Sequence, residues 1–211
     1  MLTQTSKLII SLVMSAFSIG IFAALRGRER KMCMIGMLLS TLGDIFMIDD
    51  LIPLGTVGIF IGAAFFMTAH IVYGCCFISA SKRKGYKYFN GGFIAGICTV
   101  VAATAALTAA MLINTGKIQS MYFPLLLYLA IIGFNIACQF SYAVSEKGLR
   151  LFLMLGMTLF LVSDCTIFLW MLNITRAHND LVWFTYIPAQ LLIILFNSPL
   201  KKDDTAVVES K

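Results

Sequence analysis

Residues 36–44 read GMLLSTLGD, and residues 156–164 read GMTLFLVSD. In both segments a Gly-Met pair is followed by an aspartate, Asp44 or Asp164, eight residues after the glycine. Each aspartate sits in an apolar stretch long enough to cross a bilayer, where a carboxyl group costs about 2.5–3.5 kcal/mol on insertion scales. Two such groups in matching positions predict a functional site between two halves of one helical bundle.

Long apolar runs dominate the chain. Of its 211 residues 60% are hydrophobic and 12% are charged, and the mean hydropathy of +0.91 excludes an ordinary soluble domain. A membrane-spanning helix needs about 20 predominantly apolar residues. We therefore predict an all-α integral membrane protein, a single bundle over residues 1–198 with a short cytoplasmic tail at 199–211. Its seven predicted spans cover residues 7–25, 32–48, 55–79, 91–113, 121–143, 151–173 and 181–198.

Lysine and arginine are concentrated on one side of the predicted bundle. The loops after helices one, three and five, together with the tail, hold thirteen of the sixteen basic residues. The positive-inside rule then places the N-terminus outside and the C-terminus inside. The net charge of +6 is therefore a topology signal, and we expect the basic loops to contact anionic membrane lipids. Because the basic residues are split among short loops, we expect no nucleic-acid partner.

The similarity between the two halves extends beyond the aspartates. Ala-His at 69–70 and Ala-Gln at 189–190 follow the two aspartates at equal distances. The match assigns helices two and three to one unit and helices six and seven to another. If helices one and five complete them, the two units are related by an axis along the membrane normal. Helix four, with Gly92, Gly96 and many Ala, Thr and Val residues, then links the units by packing. The alternative to this 3+1+3 repeat is chance, since the matching residue types are abundant.

Three helices carry polar or aromatic side chains at helical spacing, along one stripe each. The stripes are Gly58, Gly62, Phe66, His70 and Tyr73 in helix three; Tyr128, Asn135, Gln139 and Tyr142 in helix five; and Trp183, Tyr186, Gln190 and Asn197 in helix seven. Polar groups within a membrane need a partner or water. We predict that the stripes converge with the aspartates on a polar cavity. The alternative is that Asn and Gln only join helices, at about 0.6–2 kcal/mol per contact.

Two carboxyl groups in one buried site suit two kinds of chemistry. Close together and away from water, they share one proton at neutral pH. Such a pair supplies the acid and the base that hydrolysis through an oxocarbenium-like state needs. The same pair could bind and release a proton or cation in a transporter. The structural alternative is that each aspartate only bonds a neighbouring helix.

His70 is the candidate for a third functional group. We interpret it as a proton shuttle or a hydrogen-bond donor, with a buried core histidine as the alternative. A zinc site of the kind found in several membrane hydrolases needs about three imidazoles. The two histidines, His70 and His178, cannot supply them, and we predict neither a metal nor another cofactor.

The same residues fall into a known pattern. LSTLGD at 39–44 and AHIVY at 69–73 resemble the first signature of the YhhN family of integral membrane lysoplasmalogenases. SD at 163–164 and YIPAQL at 186–191 resemble the second, with fitting order and spacing. The chain departs from the pattern in helix one, which lacks the Lys-Pro pair associated with the start of the family; Lys7 is only a loose stand-in.

The resemblance implies an enzyme that hydrolyses the vinyl ether bond of lysoplasmalogens, its lysophospholipid substrates, to a fatty aldehyde and a glycerophospho-alcohol. One of Asp44 and Asp164 is then the general acid, and the other stabilises the cation and activates water. His70 is expected to orient water or the acid. The residues expected to contact the substrate are Tyr73, Asn135, Tyr186 and Gln190. A bacterial inner membrane is the favoured location, with a eukaryotic endomembrane as the alternative.

Two other functions compete with hydrolysis. A small proton-coupled transporter fits a 3+1+3 layout of the kind found in SWEET proteins, in which intramembrane acids act as proton relays. Against it, helices three and seven lack the expected Pro-Gln dipeptide, and Pro188-Ala189-Gln190 is the nearest match. A seven-helix receptor or scaffold is disfavoured because the predicted intracellular loops offer little surface to a partner.

Overall fold

Seven α-helices make up the described part of the chain. The computed structural model describes residues 3–48, 52–118, 120, 122–172, 174 and 178–196, with the backbone alone for 178–180. The helices are α1 Gln4–Leu25, α2 Arg28–Met47, α3 Thr56–Arg83, α4 Gly91–Thr115, α5 Tyr122–Glu146, α6 Leu151–Met171 and α7 His178–Phe196. A short 3₁₀ helix, Gly148–Arg150, leads into α6. The predicted tail at 199–211 lies outside the described residues.

Most of these helices are long and apolar enough to cross a membrane. α1, α3, α4, α5 and the combined 3₁₀ turn and α6 meet the length and composition of a span. The apolar part of α7, Leu181–Phe196, is shorter, and α2 does not qualify because charged residues occupy its first turn. The chain is therefore an all-α multi-pass membrane protein. The number of seven spans and the N-out orientation stay predictions.

Two helices, α2 and α3, extend beyond their apolar parts into charged residues. α2 begins at Arg28, four residues before the predicted span 32–48, so residues 28–31 are helical and not part of the loop after α1. The buried Glu29 in this first turn forms an ion pair with Arg83 at the end of α3, with 2.5 Å between Oε1 and the guanidinium nitrogen. Lys84, directly after α3, pairs with Glu146 at the end of α5. These pairs hold the ends of α2, α3 and α5 together at the predicted cytoplasmic face.

The helix contacts agree with two units joined by a linker. α2 packs on α1 and α3, and α6 packs in the same way on α5 and α7. α3 also packs closely on α5, which joins the units directly, whereas α1 and α7 barely touch. α4 packs mainly on α5 at the edge of the bundle, as a linker should. The two units are therefore joined mainly through α3 and α5 and only loosely between α1 and α7.

The glycine that opens each repeated segment allows a close helix contact. A Cβ atom added to Gly36 would lie 2.4 Å from the ring of Tyr73 on α3. A Cβ atom added to Gly156 would lie 3.0 Å from the Cβ atom of Leu192 on α7 and 3.2 Å from the carbonyl oxygen of Ala189. The two glycines thus serve equivalent helix pairs, α2 with α3 and α6 with α7.

The three predicted stripes lie inside the bundle. Every described member of each stripe is buried; Asn197 lies outside the described residues. At the centre the ring of Tyr186 packs edge-to-face on Phe66 and Phe160, with centroid distances of 6.1 and 5.5 Å. Such aromatic pairs contribute about 0.5–1.5 kcal/mol beyond their area. The aromatic centre fixes the depth at which the polar residues of α3, α6 and α7 meet.

Candidate active site

A cavity of about 440 Å³ lies at one end of the bundle. At this end α1, α3 and α7 begin and α2 and α6 finish. Its polar and aromatic wall residues include Gln4, Lys7, Asp44, Ser163, Asp164, Trp170, Trp183 and Tyr186. The exposed residues Gly55 and Thr56 also line it, which connects the cavity to the protein surface. The two aspartates of the repeated segments therefore face one shared space.

Asp44 is held by hydroxyl groups from two other helices. Its Oδ2 atom accepts hydrogen bonds from Ser11 Oγ on α1 at 2.6 Å and from the Tyr186 hydroxyl on α7 at 3.0 Å. The Tyr186 oxygen in turn accepts a hydrogen bond from Gln190 Nε2 at 3.1 Å, so its own proton is free to point at Asp44. On α2, Thr41 bonds the hydroxyl of Ser15 at 2.5 Å, which anchors α1 beside the aspartate.

Asp164 has a simpler environment. The hydroxyl of Tyr128 on α5 donates to its Oδ2 atom at 2.8 Å, the one hydrogen bond to this carboxylate among the described contacts. The neighbouring Ser163 donates to the carbonyl oxygen of Val182 at 3.2 Å and so ties α6 to α7. Asp164 is buried to the same extent as Asp44, and each residue is 6% exposed.

The hydroxyl groups that donate to the two aspartates are equivalent in one position and differ in another. The first helix of each unit supplies one hydroxyl donor, Ser11 for Asp44 and Tyr128 for Asp164. The 120 residues that separate the aspartates also separate Phe66 from Tyr186. Tyr186 donates to Asp44, whereas Phe66, at the equivalent place in α3, has no hydroxyl to donate. Asp44 thus has one more donor than Asp164.

His70 does not line the cavity, and it makes no described hydrogen bond to either aspartate. It lies one helical turn beyond Phe66 and is fully buried. Its Nδ1 atom is 2.9 Å from Asn135 Nδ2, and Gln139 Nε2 donates to Asn135 Oδ1 at 3.1 Å. His70 therefore belongs to a buried polar cluster, composed of His70, Asn135 and Gln139, between α3 and α5.

The predicted substrate contacts divide into two groups. Tyr186 lines the cavity, and Gln190 acts on it through a hydrogen bond. Asn135 belongs to the buried polar cluster, and Tyr73 packs against Gly36 with its ring 6.4 Å from that of His70. Of these four side chains the structure thus places Tyr186 in position to touch a molecule in the cavity.

The sequence prediction missed a polar face of α1. Lys7, Ser11, Ser15 and Ser18 are all buried on the side of α1 that faces the bundle. Their spacings of four, four and three residues are those of one helix face, so the pattern was present in the sequence. Lys7 brings a positive charge to the cavity wall that holds both aspartates.

The donor set around the cavity is poor in metal ligands. Within the described residues no group of three or more His, Cys, Asp or Glu side chains stands close enough together to hold a metal ion. Asp44 and Asp164 are instead met by hydroxyl donors, which suits proton transfer.

A family model covers almost all of the described chain and both halves of the site. The model of the YhhN family matches residues 2–196. The chain belongs to the YhhN family. The match includes both aspartates, their tyrosine donors and all seven helices, so the resemblance predicted from the short motifs is confirmed. No curated protein and no solved structure shows significant similarity to the chain.

Proposed function

We propose that this YhhN protein hydrolyses the vinyl ether bond of lysoplasmalogens within the membrane. The observation that carries the proposal is the pair Asp44 and Asp164, which face one cavity from different helices and are each held by a tyrosine hydroxyl. Vinyl ethers hydrolyse through protonation of carbon and an oxocarbenium ion. A protonated carboxyl group and a carboxylate across one cavity supply the acid and the base for that route.

We assign the acid to Asp164 and the base to Asp44. Hydrogen bonds donated to a carboxylate favour its charged form. Asp44 receives two such bonds, from Ser11 and Tyr186, whereas Asp164 receives one, from Tyr128. When the pair shares one proton, the proton therefore resides on Asp164.

The reaction then proceeds in two steps that restore the starting state. Asp164 gives its proton to the β-carbon of the vinyl ether, and the carbon bonded to oxygen becomes an oxocarbenium ion. Asp44 takes a proton from a water molecule whose oxygen attacks that carbon, which gives a hemiacetal. In the second step Asp44 protonates the glyceryl oxygen as its bond to carbon breaks, and Asp164 takes the hydroxyl proton of the hemiacetal. The products are the fatty aldehyde and the glycerophospho-alcohol.

The remaining polar residues would bind and position the substrate. Lys7 lies on the cavity wall and supplies a cation for the phosphate. Tyr186 contacts both Asp44 and the cavity, and Gln190 positions its hydroxyl. The buried cluster of His70 and Asn135 supports the walls of the site without touching the cavity.

The decisive experiment measures aldehyde release by the purified protein. The substrates are a choline or ethanolamine lysoplasmalogen and, as control, an ester lysophospholipid of equal chain length. We expect aldehyde from the vinyl ether alone and a loss of about 10²–10⁴-fold in the Asp44→Asn and Asp164→Asn variants. Full activity in either variant would refute the acid–base scheme. No aldehyde from folded wild-type protein would refute the hydrolase and favour a proton-coupled transporter.

A further inference from the structure

A second, apolar recess adjoins the acid of the proposed reaction. It has a volume of about 120 Å³ and lies among α3, α5 and α6. Ala63 and Met67 of α3, Leu127 of α5 and Phe168 of α6 contribute to its wall. Asp164 also lines this recess, and among the described residues of its wall it is the one that carries a charge.

The recess and the polar cavity adjoin each other. Both are lined by Met47, Ile59, Phe66, Asp164 and Ile167, so these side chains form the boundary between the two spaces. On one side of Asp164 the walls carry the charged and polar groups of the cavity. On the other side they are almost entirely apolar.

The recess also reaches the lipid-facing surface. At its edge Phe60 of α3 is 44% exposed and Leu127 of α5 is 59% exposed. Large apolar side chains exposed at this depth of a membrane-spanning bundle face hydrocarbon. The recess therefore opens sideways, between α3 and α5, towards the acyl chains of the bilayer.

We propose that this recess binds the hydrocarbon chain of the substrate, which enters laterally between α3 and α5. The proposal rests on the proposed function and names the occupant, a single unbranched alkenyl chain. In a lysoplasmalogen the vinyl ether bond joins this chain to the phosphoglycerol group. A chain in the recess and a phosphate near Lys7 place the bond between the two spaces, where Asp164 stands.

The recess both holds the chain and positions it. Since the bilayer and the recess are both apolar, the affinity for the chain comes from its close packing against the side chains of the recess, and a ring that fills the recess removes this packing. The recess also places the vinyl ether at the acid, and a reacting group held in the correct geometry gains rate. Filling the recess should therefore displace long-chain ligands and spare those whose chain is too short to occupy it.

Ala63→Phe tests the proposal because the added ring would occupy the recess. The matched control, Ala102→Phe, adds the same ring at an exposed position of α4. The probes are non-hydrolysable lysophosphocholines with a 1-O-hexadecyl or a 1-O-methyl ether group. Binding is followed by fluorescence of Trp170 and Trp183, the two tryptophans of the chain, which both line the polar cavity.

We expect Ala63→Phe to weaken binding of the hexadecyl probe at least tenfold and to change binding of the methyl probe less than twofold. Ala102→Phe should leave both affinities at the wild-type value. Wild-type affinity of Ala63→Phe for the hexadecyl probe would overturn the proposal, as would equal weakening of both probes. Should Ala63→Phe lower the melting temperature, Ala63→Leu provides a smaller insertion for which the same difference between probes is expected.

This binding assay needs no turnover, so the two proposals fail separately. A wild-type protein that releases no aldehyde refutes the hydrolase whatever the probes show. A wild-type protein that releases aldehyde, while Ala63→Phe binds both probes normally, refutes the recess alone.

Discussion

Tyr186→Phe removes one of the two hydroxyl donors of Asp44 and keeps the aromatic ring in the core. A hydrogen bond to a charged group stabilises that group by about 1.5–3 kcal/mol. Since about 1.36 kcal/mol corresponds to one pH unit, a loss of this size corresponds to about 1–2 units on a pH profile. The base must be ionised for activity. We therefore expect the acid limb of the pH profile of kcat/KM to move up by that amount, with the alkaline limb unchanged.

Tyr128→Phe is the matched change at the other aspartate. It removes the hydroxyl donor of Asp164, the acid of the proposed reaction. The acid must be protonated for activity, so the alkaline limb should move up and the acid limb should stay. Tyr186→Phe and Tyr128→Phe each remove one hydroxyl group, and we expect them to move different limbs of the same pH profile.

The assay is the initial rate of aldehyde release from one lysoplasmalogen across the pH range in which the protein stays folded. The two carboxyl groups interact, so each limb belongs to the pair, and the comparison is between variants. If Tyr186→Phe moves the alkaline limb and Tyr128→Phe the acid limb, the assigned roles are reversed. If neither variant moves either limb, the aspartates are not the acid and the base.

Three further predictions address the walls and the frame of the site. Lys7→Met should raise KM roughly tenfold or more with little change in kcat, because a charged contact to phosphate is lost; an unchanged KM contradicts phosphate binding at Lys7. His70→Ala should lower the melting temperature, because the buried hydrogen bond to Asn135 is lost, and should reduce aldehyde release less than tenfold. A loss of activity as large as in the aspartate variants would show a catalytic role for His70. Gly96→Ala places a Cβ atom 2.7 Å from a backbone atom on α5 and should destabilise the fold by about 1–3 kcal/mol. The control Gly20→Ala meets nothing within 4 Å and should not destabilise the fold; equal melting temperatures of the two variants contradict the close α4–α5 contact.

The sequence predicted the helices and the burial of their polar stripes because both follow from local spacing. Residues three or four positions apart share a helix face, whichever way the helices later assemble. The cost of a carboxyl group in a membrane likewise marked Asp44 and Asp164 without knowledge of the fold. The family followed from short motifs, and the match over residues 2–196 confirms it.

The partners of each residue could not be predicted, because they depend on the depth and rotation of neighbouring helices. The stripe of α3 contains Phe66 and His70 one turn apart, yet Phe66 lines the cavity and His70 does not. Ser11 became a partner of Asp44 only because α1 packs on α2 with that turn facing the carboxylate. The spacing of residues in the sequence predicts which side chains share a face of a helix. Only the packing of the helices decides which residues of two facing helices lie at the same depth.

A repeated scaffold gives its two halves the same residue in the same place, whereas acid–base catalysis needs two carboxyl groups with different protonation. The structure contains a small difference that separates them. At equivalent positions of α3 and α7 stand Phe66 and Tyr186, and only the tyrosine donates to an aspartate. Asp164, with one donor fewer, also borders the apolar recess, which Asp44 does not line. In the proposed reaction, one hydroxyl group and one apolar wall thus distinguish Asp164, the acid, from Asp44, the base.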